Sequence, residues 1–133
     1  MDFDVLTGQD FSFFTLSPDL MAVLNPNGSF RELNPAWEKA LGYRLSELRS
    51  IPFLELLHEN DRSQAQLEIY RLLKGDKNAS VETRLQRKDQ TYLWVRWTFQ
   101  RTDDTSPLYL VGQEISELKQ ARESLADAVR KFN

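Results

Sequence analysis

The stretch from Ser80 to Arg101 restricts the possible folds more than any other part of the chain. It reads SVETRLQRKDQTYLWVRWTFQR, and in both of its arms every second residue is predominantly apolar. A period of two is typical of a β-strand with one buried face, and the polar RKDQ between the arms is typical of a turn. The pattern predicts an antiparallel hairpin. LYLVGQE, which follows the turn TDDTSP, predicts a third strand.

The chain before this hairpin contains short strands and helices. MAVLNPNGSFRELN predicts two strands around a turn, and NPAWEKALGY predicts a short helix with Asn34 as its N-cap and Gly42 at its end. A longer helix is expected to begin at Asp61, with Leu67 and Tyr70 recurring at helical spacing on its buried face. Strands that enclose a helical segment and end in a meander predict an α+β fold with helices on one face of an antiparallel sheet.

Charge and hydropathy exclude two classes of partner. The net charge is −3 and the pI is near 5.2, so no basic face is expected for nucleic acid. The longest apolar run is the five residues Leu20 to Leu24, which is too short to cross a bilayer. The acidic start MDFDVLTGQD is unlike a signal peptide. We expect a cytoplasmic domain without membrane insertion.

The chemistry of the available side chains argues against an enzyme and against a metal site. The chain has no cysteine, which excludes disulfides, thiol catalysis and cysteine-ligated metals. His58 is the one histidine, so a multi-histidine zinc site is excluded as well. There is no phosphate-binding Gly-rich loop and no spacing that suggests a nucleophile beside a base. We therefore expect no catalytic residues in this chain.

With its elements in this order, the chain resembles the PAS domain family of sensory and interaction modules. FFTLSPDLMAVLNPNGSFRELNPAWEKALGY is similar to the family's opening, LLHENDR to its hPDDR element, YLWVRW to its Trp-bearing central strand, and EISE to the DITE at its output helix. The resemblance runs roughly from Phe13 to Leu125. It implies the PAS fold, a five-stranded antiparallel sheet with short helices on one face and a flanking helix at each end.

The resemblance also implies three segments. Residues 1–15 are expected to form an N-terminal flanking segment or helix, residues 16–114 the PAS core, and residues 115–133 a C-terminal signalling helix. Gln90 stands where the hairpin turn often has Gly, and we expect the loop to relax rather than to hold Gln90 in the left-handed conformation. The junction that passes a signal from the sheet to the helix has Glu and Ser where the family usually has Asp and Thr. Its residues are expected to be Trp94, Arg96, Glu114, Ile115 and Ser116.

The C-terminal segment continues as a heptad pattern. Ile115, Leu118, Arg122, Leu125 and Val129 follow one another in steps of three, four, three and four. This spacing is typical of a coiled-coil seam, although an arginine at its centre weakens it. By resemblance, the helix pairs with its twin and continues into an output domain of a longer parent protein. The alternative is a terminal helix that folds back to cover the sheet.

A second partner surface is expected on the sheet face opposite the core. Its apolar side chains form a strip that needs cover, and the helix predicted from FSFFTL could supply it from the same chain or from a second one. We expect a homodimer through the N-terminal segment, this outer sheet face and the C-terminal helix, with coverage by the same chain as the alternative. Besides Trp94, the strip comprises Phe13, Phe14, Tyr92, Tyr109 and Val111.

PAS domains have an interior pocket, so their cofactor classes can be compared with this sequence. The flavin-photosensing branch needs a reactive cysteine before the LLHENDR region, which is absent, and its flavin-binding Asn and Gln positions here hold Leu85, Val95 and Gly112. His58 is the candidate haem ligand, but it stands where PAS domains of every kind carry histidine. We therefore expect neither flavin nor haem.

The interior itself leaves two possibilities, a packed core or a small pocket for an apolar or aromatic ligand. Large aromatic residues fill much of the predicted interior, which favours the packed core, whereas Gly112 and Thr83 leave some room at one end. The residues expected to point inward are Trp37, Leu41, Phe53, Leu57, Leu67, Tyr70, Thr83, Leu85, Val95, Trp97, Phe99, Leu110 and Gly112.

Two functions follow from these expectations. The first is a sensory input module that binds a small molecule and passes the resulting signal through the C-terminal helix to an output domain. The favoured output domain is that of a bacterial histidine kinase in a phosphorelay. The second is a ligand-free dimerisation and relay module. A diguanylate cyclase or a transcriptional regulator is the alternative parent. A void beside Gly112 favours the sensor, and a filled core favours the relay module.

Overall fold

The computed structural model describes residues 8–132 of the chain. Residues 1–7 of the predicted N-terminal segment and Asn133 lie outside the described residues. The elements in chain order are α1 (Gly8–Leu16), β1 (Leu20–Leu24), β2 (Phe30–Leu33), α2 (Ala36–Leu41), α3 (Leu45–Leu48), α4 (Phe53–Leu56), α5 (Glu59–Leu73), β3 (Asn78–Gln86), β4 (Tyr92–Gln100), β5 (Leu108–Glu114) and α6 (Ser116–Phe132).

The five strands form one antiparallel sheet in the order β2-β1-β5-β4-β3. β3, β4 and β5 form the predicted meander, and β1 pairs with β5 so that the first and last strands are neighbours at the centre of the sheet. In this register Gly112 lies between Leu20 of β1 and Trp97 of β4. The α+β fold with an antiparallel sheet and flanking helices is confirmed.

Aromatic side chains connect the helical layer to the sheet. The ring of Trp37 in α2 stacks on that of Trp97 in β4 at a centroid distance of 5.6 Å. Phe53 in α4 meets Trp97 edge-on at 5.1 Å and Phe99 at 6.0 Å. Edge-on and offset contacts of this kind add to the free energy gained by burying the rings. The core therefore lies between one face of the sheet and the short helices α2 to α5.

The buried face of α5 differs from the predicted one. Leu67 and Tyr70 were expected to point inward, but their exposed fractions are 43% and 55%. Ala65, Ile69 and Leu72 are the apolar residues of α5 that pack into the core. Both sets of residues have helical spacing, so periodicity alone does not distinguish them. The small side chain of Ala65 allows the first half of the helix to lie close to its neighbours, which a leucine or tyrosine there would prevent.

Two predicted helix caps are also wrong. Asn34 makes no capping hydrogen bond to α2, whose N-cap residue is Pro35. α5 begins at Glu59, two residues before Asp61, and His58 caps it by accepting a hydrogen bond from the backbone N–H of Asn60 through Nδ1 at 3.1 Å. The end of α2 is as predicted, because Gly42 has a φ of 83° and its N–H bonds to a carbonyl of the last turn.

The turn between β3 and β4 is tight instead of relaxed. Gln90 has a φ of 72°, and the N–H of Arg87 bonds to the carbonyl of Thr91 at 2.8 Å. Asp89 supports the turn by accepting hydrogen bonds from the N–H and the hydroxyl of Thr91 at 3.0 and 2.6 Å. These hydrogen bonds and the strand register hold Gln90 in the left-handed region, which is unfavourable for a residue with a Cβ.

Replacing Gln90 with Gly is expected to raise the free energy of unfolding by about 0.5–1 kcal/mol, the left-handed penalty less the entropy that Gly adds to the unfolded chain. Urea unfolding followed by tryptophan fluorescence measures this change. Gln90→Ala is the control, because it removes the same side chain and keeps the strain. If the Gly variant is no more stable than the Ala variant, the strain is not significant.

Candidate functional site

Two hydrogen bonds attach the boundary between β5 and α6 to β4, and both are made by the backbone of Trp94. The N–H of Ile115 donates to the carbonyl oxygen of Trp94 at 2.8 Å, and the N–H of Trp94 donates to Oγ of Ser116 at 3.1 Å. Ile115 is buried, and its carbonyl accepts the N–H of Lys119 at 2.9 Å in the first turn of α6. The helix therefore begins as a direct continuation of the sheet.

Four basic side chains surround this boundary, and three of them meet one carboxylate. Glu82, on the outer face of β3, lies 3.2 Å from Nη2 of Arg96, 3.1 Å from Nζ of Lys119 and 3.5 Å from Nη1 of Arg122. Glu114 instead pairs with the fourth cation, Arg87, at 3.9 Å. Of the predicted junction residues, Trp94, Ile115 and Ser116 meet at the helix start, whereas Arg96 acts through Glu82.

The cations affect the ionisation of Glu82. The hydrogen bond from Lys119 lowers the pKa of Glu82 below its ordinary value, partial burial opposes this effect, and Arg96 and Arg122 add to the lowering. The carboxylate therefore stays charged to a lower pH than an ordinary glutamate, and the contacts with α6 persist with it.

The indole ring of Trp94 makes further contacts with basic side chains, on residues of α6 and β3. Nζ of Lys119 lies 4.2 Å from its ring centroid, and Cζ of Arg84 lies 5.2 Å from it. These distances are typical of cation–π contacts. Arg84 in turn binds Asp61 of α5 through two side-chain hydrogen bonds of 3.0 and 2.9 Å, and its backbone N–H donates to the same carboxylate at 2.7 Å. A chain of contacts thus connects the first turn of α5 to α6.

The pKa of Asp61 shows that this pairing is favourable. Partial burial by itself raises the pKa of Asp61, but the hydrogen bonds from Arg84 and its positive charge outweigh that effect, so the pKa lies below its ordinary value. Sequence analysis assigned Asp61 to a helix cap and did not identify the pairing. The sequence feature that indicates the pairing of Asp61 with Arg84 is the alternation in β3, which places Arg84 on the outer face of that strand.

α6 has two different sides. Ile115, Lys119 and Arg122 are directed at the sheet, through burial of the first and the Glu82 contacts of the other two. The five-residue seam predicted for the helix is therefore divided: Leu118, Leu125 and Val129 are exposed, whereas Ile115 and Arg122 face the sheet. Phe132 extends the exposed set with an exposed fraction of 92%. Along the described length of α6 no residue is buried. The helix is therefore held at its first two turns and does not fold back over the sheet.

The N-terminal helix and the outer sheet face form a second exposed apolar region. Phe14 is buried, and its carbonyl accepts a hydrogen bond from Nδ2 of Asn34 at 3.0 Å, whereas Phe13 has an exposed fraction of 70%. Tyr109 and Val111 of the predicted strip are half-buried and Tyr92 is exposed. A groove of about 470 Å³ joins α1 to β1, and the residues that line it are Ser12, Phe13, Leu16, Ser17, Pro18 and Met21.

The space beside Gly112, which was expected to leave room in the interior, is occupied by an indole ring. A Cβ built on Gly112 would lie 2.4 Å from Cζ3 of Trp97 and 2.9 Å from Cγ1 of Val95. The other end of the ring is fixed, because Nε1 of Trp97 donates to Oγ1 of buried Thr83 at 2.8 Å. Apart from the exposed Leu67 and Tyr70, the predicted inward residues are buried. These are Trp37, Leu41, Phe53, Leu57, Thr83, Leu85, Val95, Trp97, Phe99, Leu110 and Gly112.

Asn34 is a structural residue whose role the sequence did not indicate. Its side chain is fully buried, and Oδ1 accepts the N–H of Met21 at 2.9 Å. Its Nδ2 donates to the carbonyls of Phe14 and Asp19 at 3.0 and 2.9 Å. One amide therefore fastens the end of α1 to β1 and β2.

Within residues 8–132, no three acidic, histidine or cysteine side chains lie close enough to hold a metal ion. Over the same range, no helix is both long enough and apolar enough to span a membrane.

Comparison with known sequences identifies a family and several relatives. A family model described as PAS fold matches residues 30–113. A probable diguanylate cyclase, DgcE of Escherichia coli K12, is 29% identical over 108 residues, which are 77% of this chain and 10% of that protein. The sensor histidine kinase TmoS of Ectopseudomonas mendocina is 29% identical over 97 residues, 69% of this chain and 10% of that protein. The chain thus spans about a tenth of the length of these relatives.

Solved structures show the same fold at lower sequence identity. The PAS domain of a protein from Colwellia psychrerythraea has a TM-score of 0.73 at 17% identity, over 82% of this chain and 96% of that one. A domain of a sensory box sensor histidine kinase/response regulator from Geobacter sulfurreducens has a TM-score of 0.66 at 20% identity, over 76% of this chain and 88% of that one.

Proposed function

This chain belongs to the PAS family, and we propose on that basis that it is a dimeric relay module that transmits a signal through α6 to an output domain of a longer protein. The observation that carries the proposal is the boundary between β5 and α6, where Ile115 and Ser116 bond to the backbone carbonyl and N–H of Trp94 in β4. A displacement of β4 moves the helix with it, because the two share these bonds. The relatives favour a sensor histidine kinase or a diguanylate cyclase as the parent.

The exposed side of α6 supports the dimer. Leu118, Leu125 and Phe132 are seven residues apart and form a ridge that runs along the helix. We call these three residues the apolar ridge. Its heptad repeat suits a second copy of α6. A helix of 17 residues binds weakly on its own, so the exposed apolar residues around α1 are expected to contribute to the same dimer.

The filled interior favours relay without a resident cofactor. Trp97 occupies the space beside Gly112, and Trp37 and Phe53 pack against its ring. A ligand would need to displace this cluster, which would cost the free energy of its packing. The signal is then expected to come from a neighbouring domain or partner through α1 and the outer sheet face. A packed relay module is proposed over a small-molecule sensor.

The dimer can be tested by adding charge to the apolar ridge. Leu118→Asp with Leu125→Asp is expected to shift the dimer to monomer, since each carboxylate would lose its hydration at the interface. Sedimentation equilibrium over a concentration series measures the change. Both side chains are exposed, so the β-sheet circular dichroism is expected to stay the same.

The matched control is Gln120→Asp with Ser124→Asp. These positions are exposed, lie about 100° to 140° around the helix axis from the apolar ridge, and the pair adds the same charge. The control is expected to dimerise like the parent chain. A ridge variant that dimerises as well as the parent would overturn the proposed interface, and a parent chain that stays monomeric throughout the series would overturn the dimer.

A further inference from the structure

The contacts of Glu82 restrict α6 in rotation as well as in position. Lys119 and Arg122 are three residues apart, and both reach the same carboxylate oxygen, at 3.1 and 3.5 Å. Residues at this spacing lie on one side of a helix. Two contacts from one side to a single fixed point define which side of the helix faces the sheet.

The apolar ridge lies on another side. At about 100° per residue, Leu118, Leu125 and Phe132 are displaced by about 90° around the axis from the direction midway between Lys119 and Arg122. While both cations are held by Glu82, the apolar ridge points sideways, at about a right angle to the direction of the sheet. Its high exposure agrees with this orientation.

The rest of α6 offers little resistance to rotation. Its residues from Ser116 to Phe132 are all at least partly exposed, so beyond Ile115 the helix is held by the Ser116 hydrogen bond and the Lys119 contact with Trp94, and by no buried side chain. Surface ion pairs contribute little to global stability, but here they compete with few other contacts. Glu82 is itself fixed from the opposite side by Arg96 of β4, at 3.2 Å.

We infer that Glu82 is the positioning residue that sets the rotational orientation of α6, so that loss of its ion pairs frees the helix to turn the apolar ridge away from a partner. The inference rests on the proposed function only in taking the apolar ridge as the partner-facing side. The Glu82 contacts are within one chain, so the orientation can be measured independently of dimerisation.

The absence of cysteine makes a direct measurement possible. Thr102→Cys and Ser124→Cys place two spin labels at exposed positions, one beyond β4 and one on α6. Electron–electron distance measurements on labelled chain diluted in unlabelled chain report the distance within one molecule. The labelled chain in which Glu82 is unchanged is expected to give one narrow peak in the distribution of distances between the two labels.

Glu82→Gln is expected to abolish the narrow peak and give a broad distribution. Arg122→Gln is expected to change it in the same direction, and the double variant should be no broader than Glu82→Gln, because the ion pair of Arg122 is already lost with the charge of Glu82. High salt should broaden the distribution of the parent chain and leave that of Glu82→Gln unchanged. A merely stabilising role of Glu82 would alter the unfolding midpoint without altering these distances.

Glu114→Gln is the matched control, since it removes the same charge beside the junction from a residue that pairs with Arg87. It is expected to keep the narrow peak. A narrow, unshifted peak in Glu82→Gln would overturn the positioning role. If Glu82→Gln broadens the distribution but the apolar-ridge variant still dimerises, the positioning role stands and the proposed dimer interface fails.

Discussion

A single methyl group at Gly112 is expected to lower the free energy of unfolding by about 3 kcal/mol, at the upper end of the usual range for overpacking. The new Cβ would lie 2.4 and 2.6 Å from two carbons of the Trp97 ring, well inside van der Waals contact. The ring has no free direction of movement, because Trp37 stacks on it, Phe53 abuts it and Thr83 accepts its N–H. Urea unfolding of Gly112→Ala measures the loss.

A smaller ring at position 97 separates this steric conflict from other effects of the substitution. Trp97→Phe is itself destabilising, but Gly112→Ala is expected to cost less in the Trp97→Phe background than in the parent chain, because residues in contact are not additive. Equal costs in the two backgrounds would contradict the proposed contact. A Gly112→Ala variant as stable as the parent would show that the interior has room, which would favour the small-molecule sensor over the packed relay module.

The parts of the fold that were predictable are those determined by local pattern. Alternation from Val81 to Phe99 defined two strands and the face of each, because a one-residue shift would expose the whole apolar set. The end of α2 at Gly42 was likewise predictable, since a left-handed residue there is a local requirement. Such features need no knowledge of which elements are neighbours.

The predictions that were wrong concern features that only the tertiary structure determines. α5 carries two apolar stripes, and the one containing Ile69 and Leu72 was less evident because Glu68 lies beside it. Glu68 is tolerated there because Arg71 pairs with its carboxylate at 3.1 Å. The competing stripe of Leu67 and Tyr70 has the same helical spacing, but it faces away from the core.

Polar side chains at the candidate site show the same limit. Asp61 obeys the local rule for a helix cap, yet three hydrogen bonds from Arg84 are stronger than one cap bond. Glu82 has the appearance of an ordinary outward residue on a strand, and its importance depends on where α6 passes. The sequence shows that Lys119 and Arg122 share a helix side but not that Glu82 lies opposite them.

Asn34→Ala is expected to lower the free energy of unfolding by about 3 kcal/mol, because it removes three hydrogen bonds to buried and partly buried backbone groups. The groups are the N–H of Met21 and the carbonyls of Phe14 and Asp19, which now bond to the amide at 2.9 to 3.0 Å. Since one of these bonds holds the end of α1, the variant should also release that helix. Limited proteolysis is expected to cleave near Ser17 faster than in the parent chain.

Asn34→Asp tests whether the hydrogen bonds or the volume of the side chain matter. The carboxylate has nearly the same shape and can accept the Met21 N–H, but it cannot donate to the two carbonyls, so we expect a loss at least as large as for Ala at neutral pH. Asn27→Asp is the control, since Asn27 is exposed and its Oδ1 only accepts bonds from Ser29, which a carboxylate also accepts. If Asn34→Asp were as stable as Asn27→Asp, the amide would not be what fastens α1 to the sheet. A signal arriving through α1 would then need another route to β1 and β5, whose pairing leads to the start of α6.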